Sequence, residues 1–260
     1  MKRTLNFSKR NLKELVRDPL IYVFCLGFPL VMLVLFQIIQ KYSGGNTPMF
    51  EIKALLPGII MFSYTFVMLN MSLLVSKDRQ TSFLKRLYSS PMKCWDFVLG
   101  YAFVGLVIGL SQTVICILAG LIIALINGAS FIAFGYILLL VVSQFPVLLI
   151  SVFLGILFGT IFSDKSAPGI SSVFISAVGI LGGCWMPIES MGGFETFCRF
   201  LPFYPSVYIG RIPTGATNVF GATYTFDKVA ILGLIPIGVF LIASVVLSFL
   251  AFRKDMMGDK

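Results

Sequence analysis

Residues 97–126 read FVLGYAFVGLVIGLSQTVICILAGLIIALI and contain no Asp, Glu, Lys or Arg. The charge-free run continues to Ser163. A helix of about 20 mostly apolar residues can cross the hydrocarbon layer of a membrane, and in lipid the backbone must satisfy its polar groups internally. The turn signal Asn-Gly-Ala-Ser at 127–130 therefore divides the run into two membrane-spanning helices, at 97–126 and 131–163.

Four more stretches lack charged residues and are each long enough to span a membrane. They lie at about residues 20–40, 54–76, 166–186 and 229–252. The chain is 58% hydrophobic and 12% charged, far more apolar than a soluble domain. The short alternating segments of a membrane β-barrel are absent from the sequence. We therefore predict an all-α integral membrane protein with six transmembrane helices in a single domain, 1–260.

The basic residues are divided unequally between the two sides of these spans. Fifteen Lys and Arg fall in the two ends and the connections on one side, and five fall on the other: Lys41, Lys53, Arg199, Arg211 and Lys228. Because the more basic side faces the cytoplasm, both termini are predicted to be cytoplasmic in a multi-pass protein of the plasma membrane. Topology and attraction to anionic lipid then account for the net charge of +9 without a nucleic-acid partner.

The first 19 residues predict an interfacial helix that lies flat on the membrane. Basic and apolar residues occupy separate arcs of a helical wheel, with Lys9, Arg10, Lys13 and Arg17 on one and Leu12, Leu15 and Val16 on the other. The pair Asp18-Pro19 then ends the helix before the chain enters the bilayer.

A second amphipathic helix is predicted at 77–91, in the cytoplasmic connection after the second span. Its apolar side chains share one face and its charged ones the other: Phe83, Leu84, Leu87 and Tyr88 against Asp78, Arg79, Lys85 and Arg86. Such a helix either presses against a soluble partner or rests on lipid.

The outer segment 187–228 is unusually apolar for an exposed connection. Phe194, Phe197, Cys198 and Leu201 follow helical spacing, and several Pro residues divide the segment into short pieces. We predict a short re-entrant structure in the outer leaflet. Cys184 and Cys198 both fall on this side, where they either pair or remain small apolar thiols.

The absence of certain residue types and motifs from the sequence excludes several classes of function. The sequence has no His, no carboxylate or basic residue within a predicted span and no phosphate-binding G-x-x-x-x-G-K-[ST] loop. No catalytic residue and no metal site is therefore predicted, and proton coupling is disfavoured. The polar residues Gln37, Asn70, Gln112 and Gln144 lie in the spans and either line a translocation path or hydrogen-bond neighbouring helices.

Several motifs resemble one family of membrane proteins, the type-2 ABC exporter permeases. Residues 78–87, DRQTSFLKRL, with Ser89-Ser90-Pro91, are similar to the family's E-R-E-x-G-x-L-K-R-L…[ST]-P element. The stretch 17–20 with Phe28-Pro29 resembles its entry into the first span, and 185–187 with 200–202 its outer loop. Gln80 and Ser82 depart from the usual Glu and Gly.

The resemblance implies that two six-span subunits pair, as a homodimer or with a close paralogue, and that each binds a cytoplasmic ATPase subunit. ATP and magnesium are expected on that partner, with no cofactor on this chain. Asp78–Tyr88 would be the coupling helix seated on the ATPase, and Thr4–Asp18 the elbow helix. The location implied is a bacterial plasma membrane.

The first span is more similar to that of drug and antimicrobial-peptide exporters, which implies outward transport of a hydrophobic or amphipathic molecule. Three alternatives remain open at this point. They are export of a lipid-linked polysaccharide or teichoic acid, a self-contained channel or sodium-coupled carrier, and a scaffold that transports nothing.

Overall fold

The computed structural model describes residues 2–44, 47–81, 84, 93–128 and 131–258. Within these residues nearly all regular structure is helical, and the only β-pairing is an isolated bridge between Thr217 and Thr223.

The N-terminal half consists of a surface helix and three long apolar segments. The first span is interrupted by one π-helical stretch, at Tyr22–Gly27. The helices are α1 (Lys2–Val16), α2 (Pro19–Ile21), α3 (Phe28–Tyr42), α4 (Ile52–Gln80) and α5 (Cys94–Ile126).

The C-terminal half alternates long and short helices. The long ones are α6 (Phe134–Ile161) and α10 (Lys228–Gly258). Between them come α7 (Ala167–Leu181), α8 (Gly193–Arg199) and α9 (Phe203–Thr214).

Five helical segments are long and apolar enough to cross a membrane, and α7 is a sixth, shorter apolar helix. The five are Tyr22–Tyr42, Ile52–Gln80, Cys94–Ile126, Phe134–Ile161 and Lys228–Met257. With 15 residues, α7 is about 22 Å long, a shortfall that local thinning of the bilayer accommodates. The predicted all-α membrane fold is confirmed.

Helix α4 forms the centre of the bundle. Its most apolar window is 94% buried inside the chain, against 22% for that of α10. Helix α6 crosses it closely because Gly155 and Gly159 lie against the backbone of α4. A Cβ atom at Gly155 would lie 2.6 Å from the carbonyl oxygen of Met68, and one at Gly159 2.6 Å from that of Ser72.

Both ends of the described chain lie at the same end of the bundle. Arg10 of α1 forms an ion pair with Asp78 near the end of α4, and the adjacent Arg79 forms one with Asp255 of α10. This placement agrees with an even number of crossings. The connection 182–227, with α8 and α9, lies at the opposite end.

The connection after α7 folds into compact short pieces. A 3₁₀ turn at Ile188–Ser190 precedes α8, and α9 is largely buried. The five cysteines are free thiols, and Cys184 and Cys198 lie in different apolar clusters.

Candidate functional site

The surface helix α1 packs directly on the start of α5. The ring of Phe7 makes an edge-on contact with Tyr101 at 4.9 Å between centroids. Ser8 Oγ donates to the carbonyl oxygen of Gly100 at 3.0 Å, and Thr4 Oγ1 to Asp96 Oδ1 at 2.8 Å. The helix is therefore held on the bundle by contacts within the protein.

The three apolar residues predicted for the membrane-facing side of α1 differ in their burial. Leu15 is buried, Leu12 packs at the edge of the core and Val16 is exposed. Among the basic residues, three are exposed: Lys9, Lys13 and Arg17. Their exposure fits contact with anionic headgroups.

A charged cluster ties α1 to the end of α4. Arg10 Nη1 donates to both carboxylate oxygens of Asp78 at 3.0 Å, and the hydroxyl of Tyr101 donates to Asp78 Oδ2 at 2.7 Å. Glu14 accepts from Arg10 at 2.7 Å and from Lys77 at 3.0 Å. Asp78 is buried, and these donors offset the cost of burying its charge.

The next residue along α4 ties the helix to the C-terminal end of the chain. Arg79 binds Asp255 of α10 in two-pronged fashion, through Nε at 3.1 Å and Nη2 at 2.6 Å. Its Nη1 also donates to the carbonyl oxygen of Gly159 in α6, at 3.3 Å. Bidentate pairs of this kind fix geometry as well as charge.

Two of the predicted coupling residues thus make contacts inside this subunit, and a third is buried. Leu84 is 1% exposed and belongs to the main apolar core. The remaining five lie outside the described residues: Phe83, Lys85, Arg86, Leu87 and Tyr88. The coupling assignment of 77–91 stays a prediction.

The far side of this connection is also anchored. The backbone N–H of Lys93 donates to Asp96 Oδ2 at 3.0 Å at the start of α5, which caps the helix. The same Asp96 accepts from Thr4 of α1. A force applied between α4 and α5 would therefore act on α1 and on the central helix together.

Three of the four polar residues predicted to line a path are buried in contacts between helices. Asn70 Nδ2 donates to Cys25 Sγ at 3.0 Å, and Gln112 Nε2 to the carbonyl oxygen of Cys25 at 2.5 Å. Gln144 Nε2 donates to the carbonyl oxygen of Ser206 at 2.9 Å. Such bonds hold helices together in an apolar environment.

The fourth, Gln37, lies at the opposite end of the bundle from α1. Its Nε2 donates to the carbonyl oxygen of Phe50 at 2.7 Å, and its Oε1 accepts from Asn127 at 3.3 Å. It lines a polar cavity of about 640 Å³.

An aromatic cluster joins the first span, α4 and the turn after α7. It consists of Phe24, Phe28, Phe62, Phe66 and Trp185. Phe62 contacts both Phe28, at 6.1 Å between centroids, and Trp185, at 4.8 Å. Phe24 and Phe28 are exposed on the outside of the chain.

Towards α1, this side of the bundle opens into a second cavity. The cavity has a volume of about 270 Å³ and is lined by Asn70 and Lys77 of α4, by Glu14 and Asp18 near the first span, and by Asp164 before α7. The side of the bundle formed by the first span and α4 is therefore amphipathic, with polar groups near α1 and aromatic rings towards the opposite end.

At the end opposite α1, one arginine is buried that sequence reasoning counted only as a basic loop residue. Arg211 of α9 is 1% exposed. Its Nε donates to the carbonyl oxygen of Ala54 at 3.0 Å, and its Nη2 to that of Gly183 at 2.9 Å. Gly183 adopts a φ of +62°, which a side chain would disfavour and which turns its carbonyl toward the guanidinium.

Two side chains complete this outer cluster. Arg211 Nη1 donates to the hydroxyl of Tyr224 at 3.2 Å, and that hydroxyl donates to Glu189. Burial raises the pKa of Tyr224 above its ordinary value, so the hydroxyl keeps its proton at neutral pH. The Arg211–Glu189 separation is 3.9 Å. No regularity of the sequence pairs these residues, because they lie 13 to 35 residues apart within the connection 182–227.

The described residues contain no group of three or more His, Cys, Asp or Glu side chains arranged to hold a metal ion. What this arrangement can do is mechanical: charged clusters at both ends fix a central helix within a lipid-exposed bundle.

The fold defines the class, an all-helical protein with membrane-spanning segments. The sequence model of the family described as ABC-2 type transporter matches residues 4–213, and the chain belongs to that family. It is thus a multi-pass permease component of an ABC transporter, a type of subunit that works with a cytoplasmic ATPase. No curated protein matches the chain.

Proposed function

We propose that this chain is the pore-forming subunit of an exporter that moves a hydrophobic or amphipathic molecule outward across the plasma membrane. A separate ATPase subunit supplies the energy. The observation that carries the proposal is the anchoring of segment 77–91 inside the subunit, at Asp78 and Arg79 in its first turn and at Asp96 just after it.

The segment is connected directly to the central helix. Its first residues form the last turn of α4, the most buried of the long helices. Because α4 packs against α3, α5, α6 and α7, and α10 packs in turn against α6, displacement of its end shifts the bundle as a unit. An ATPase docked on the segment would thus act on the whole bundle.

The transported molecule, in this proposal, passes along the side that carries the aromatic cluster. A second copy of the chain, or a close paralogue, closes this side into a pore. Exposed Phe24 and Phe28 supply apolar contacts, and the cavity at Asn70 supplies a polar entrance. An amphipathic cargo matches that combination.

The first test is reconstitution. The chain is co-expressed with the ABC ATPase that we expect a neighbouring reading frame to encode, and uptake of a fluorescent amphipathic cation into inverted membrane vesicles is measured with and without ATP. We expect ATP-dependent uptake that disappears when the phosphate-loop lysine of the ATPase is replaced. Uphill transport by this chain alone, without ATP, would contradict the proposal.

The coupling segment is tested best at its charged residues. Leu84→Asp would place a carboxylate in the apolar core and disturb folding, so Arg86→Glu is the cleaner probe. We expect it to lower ATP-driven uptake while the protein still inserts and purifies as a single species. Lys254→Glu, an exposed charge reversal at the same end of the bundle, is the control. An equal loss of ATP-driven uptake in both variants would contradict a specific role of this segment in coupling.

A further inference from the structure

The polar cavity that contains Gln37 lies at a corner of three helices. Its walls are the last turns of α3, the start of α4 and the end of α5. Two ammonium groups line it, those of Lys41 and Lys53, together with the carboxylate of Glu51. Within the part of the chain that the structure describes, neither lysine forms an ion pair. The two lysines and the one glutamate give the cavity lining a net charge of +1.

A separate apolar groove lies on the exposed side of α3 and borders the helix stripe that carries Gln37 and Lys41. The groove has a volume of about 560 Å³ and is lined by Leu30, Val34 and neighbouring residues of α3. Seven residues are close to two turns of an α-helix, so Leu30 lies below Gln37 and Val34 below Lys41. The rise over seven residues is about 10 Å.

Polar and apolar parts are therefore stacked in the order of a membrane lipid. Tyr42, next to Lys41 in the chain, is 86% exposed. Tyrosine is enriched at the level of the lipid headgroups. The excess of one positive charge in the cavity complements a single negative charge, and the groove offers space for an acyl chain.

We propose that this corner binds an anionic phospholipid of the outer leaflet, with its phosphodiester between Lys41 and Lys53 and one acyl chain against Val34. The leaflet follows from the proposed cytoplasmic location of the termini. The binding itself requires neither transport nor the ATPase, so it stands or falls separately from the proposed exporter function.

The test measures retained lipid. The full chain is purified in mild detergent from an equimolar mixture of phosphatidylglycerol and phosphatidylcholine, and bound lipid is quantified by mass spectrometry. We expect phosphatidylglycerol to be enriched, and the variant K41Q/K53Q to lose that preference by about fivefold for each lysine removed, the effect of one surface cation on an anionic lipid. Lys228→Gln, another exposed lysine of the same side, should leave the preference unchanged.

Two further measurements distinguish binding of a lipid from binding of free phosphate. Val34→Trp fills the groove and should reduce phosphatidylglycerol retention while both lysines are intact. If radiolabelled inorganic phosphate binds the purified chain and Val34→Trp changes nothing, the site is a phosphate site and the lipid assignment is wrong. Equal retention of the two lipids by the unmodified chain, or equal loss in Lys228→Gln, would also overturn it.

Discussion

Arg211 carries a charge into the interior of the bundle, where desolvation makes an unpaired ion very costly. Four of its contacts offset that cost: two carbonyl oxygens, the sulfur of Met49 and the hydroxyl of Tyr224. The residue joins the start of α4, the turn after α7 and the loop after α9. It is therefore a positioning residue for the outer end of the subunit.

Replacing Arg211 by Gln should destabilise the chain by about 3 kcal/mol or more, since the carbonyls and Glu189 lose their cation. Thermal unfolding of the purified protein in detergent measures this. Arg199→Gln is the matched control, because Arg199 is half-exposed and, among the residues that the structure describes, forms an ion pair with Glu195 alone, one turn away. Such pairs contribute about 1 kcal/mol or less. Similar unfolding temperatures for the two variants would show that Arg211 is not a structural anchor.

Tyr101 offers a smaller change at the other end of the bundle. Tyr101→Phe removes only the hydroxyl that donates to the buried carboxylate of Asp78. We expect a loss of about 1.5–3 kcal/mol in unfolding free energy, the range for a hydrogen bond to a charged group. Tyr136→Phe, on an exposed tyrosine, should have no measurable effect.

At the scale of elements, the crossing of α4 and α6 depends on two glycines that bring the helix backbones close together. A side chain at either position meets main-chain atoms, which cannot rotate away as the end of a flexible side chain can. Here the spacing Gly155-x-x-x-Gly159 acts as a packing motif.

Gly155→Ala should therefore force the two helices apart and cost about 1–3 kcal/mol through overpacking. Gly238→Ala is the control: it lies within α10, where a Cβ atom has no neighbour within 4 Å, and a better helix former there is neutral or stabilising. Unfolding curves and size-exclusion profiles of both variants test the difference. If Gly155→Ala is as well tolerated as Gly238→Ala, the close crossing does not exist in the membrane.

At the scale of the whole molecule, the exposed face of α7 differs from the other lipid-facing surfaces. It carries Gly169, Ser172 and Ser176 alongside larger apolar residues. Small and hydroxyl residues allow close approach of helices and are typical of contacts between spans. In the proposed dimer, this face lies at the junction of the two copies.

A cysteine at Ser172 should then form a disulfide or a short bismaleimide cross-link between two copies in native membranes, seen as a doubled mass on denaturing gels. Leu139→Cys, equally exposed on α6, should not cross-link. The five native cysteines are buried, so their background is low. Cross-linking through Leu139→Cys alone would place the interface elsewhere.

The sequence by itself determined the helical class, the approximate spans and the location of both termini at one end. These follow from local properties, since charge-free length, turn residues and basic connections can each be read along the chain. It also indicated the amphipathic segment 77–91. The family assignment of residues 4–213 then agreed with the resemblance seen in its motifs.

Only the tertiary structure decided which helix is central. Helix α4 has the lowest mean hydropathy of the five long segments, 1.8, yet is the most buried, whereas α10, at 2.7, mostly faces outward. The reason is physical: lipid is as apolar as the protein interior, so hydropathy does not separate core from surface in a membrane. Likewise, the partners of Asp78, Arg79 and Arg211 come from segments far apart in the sequence, and only folding brings them together.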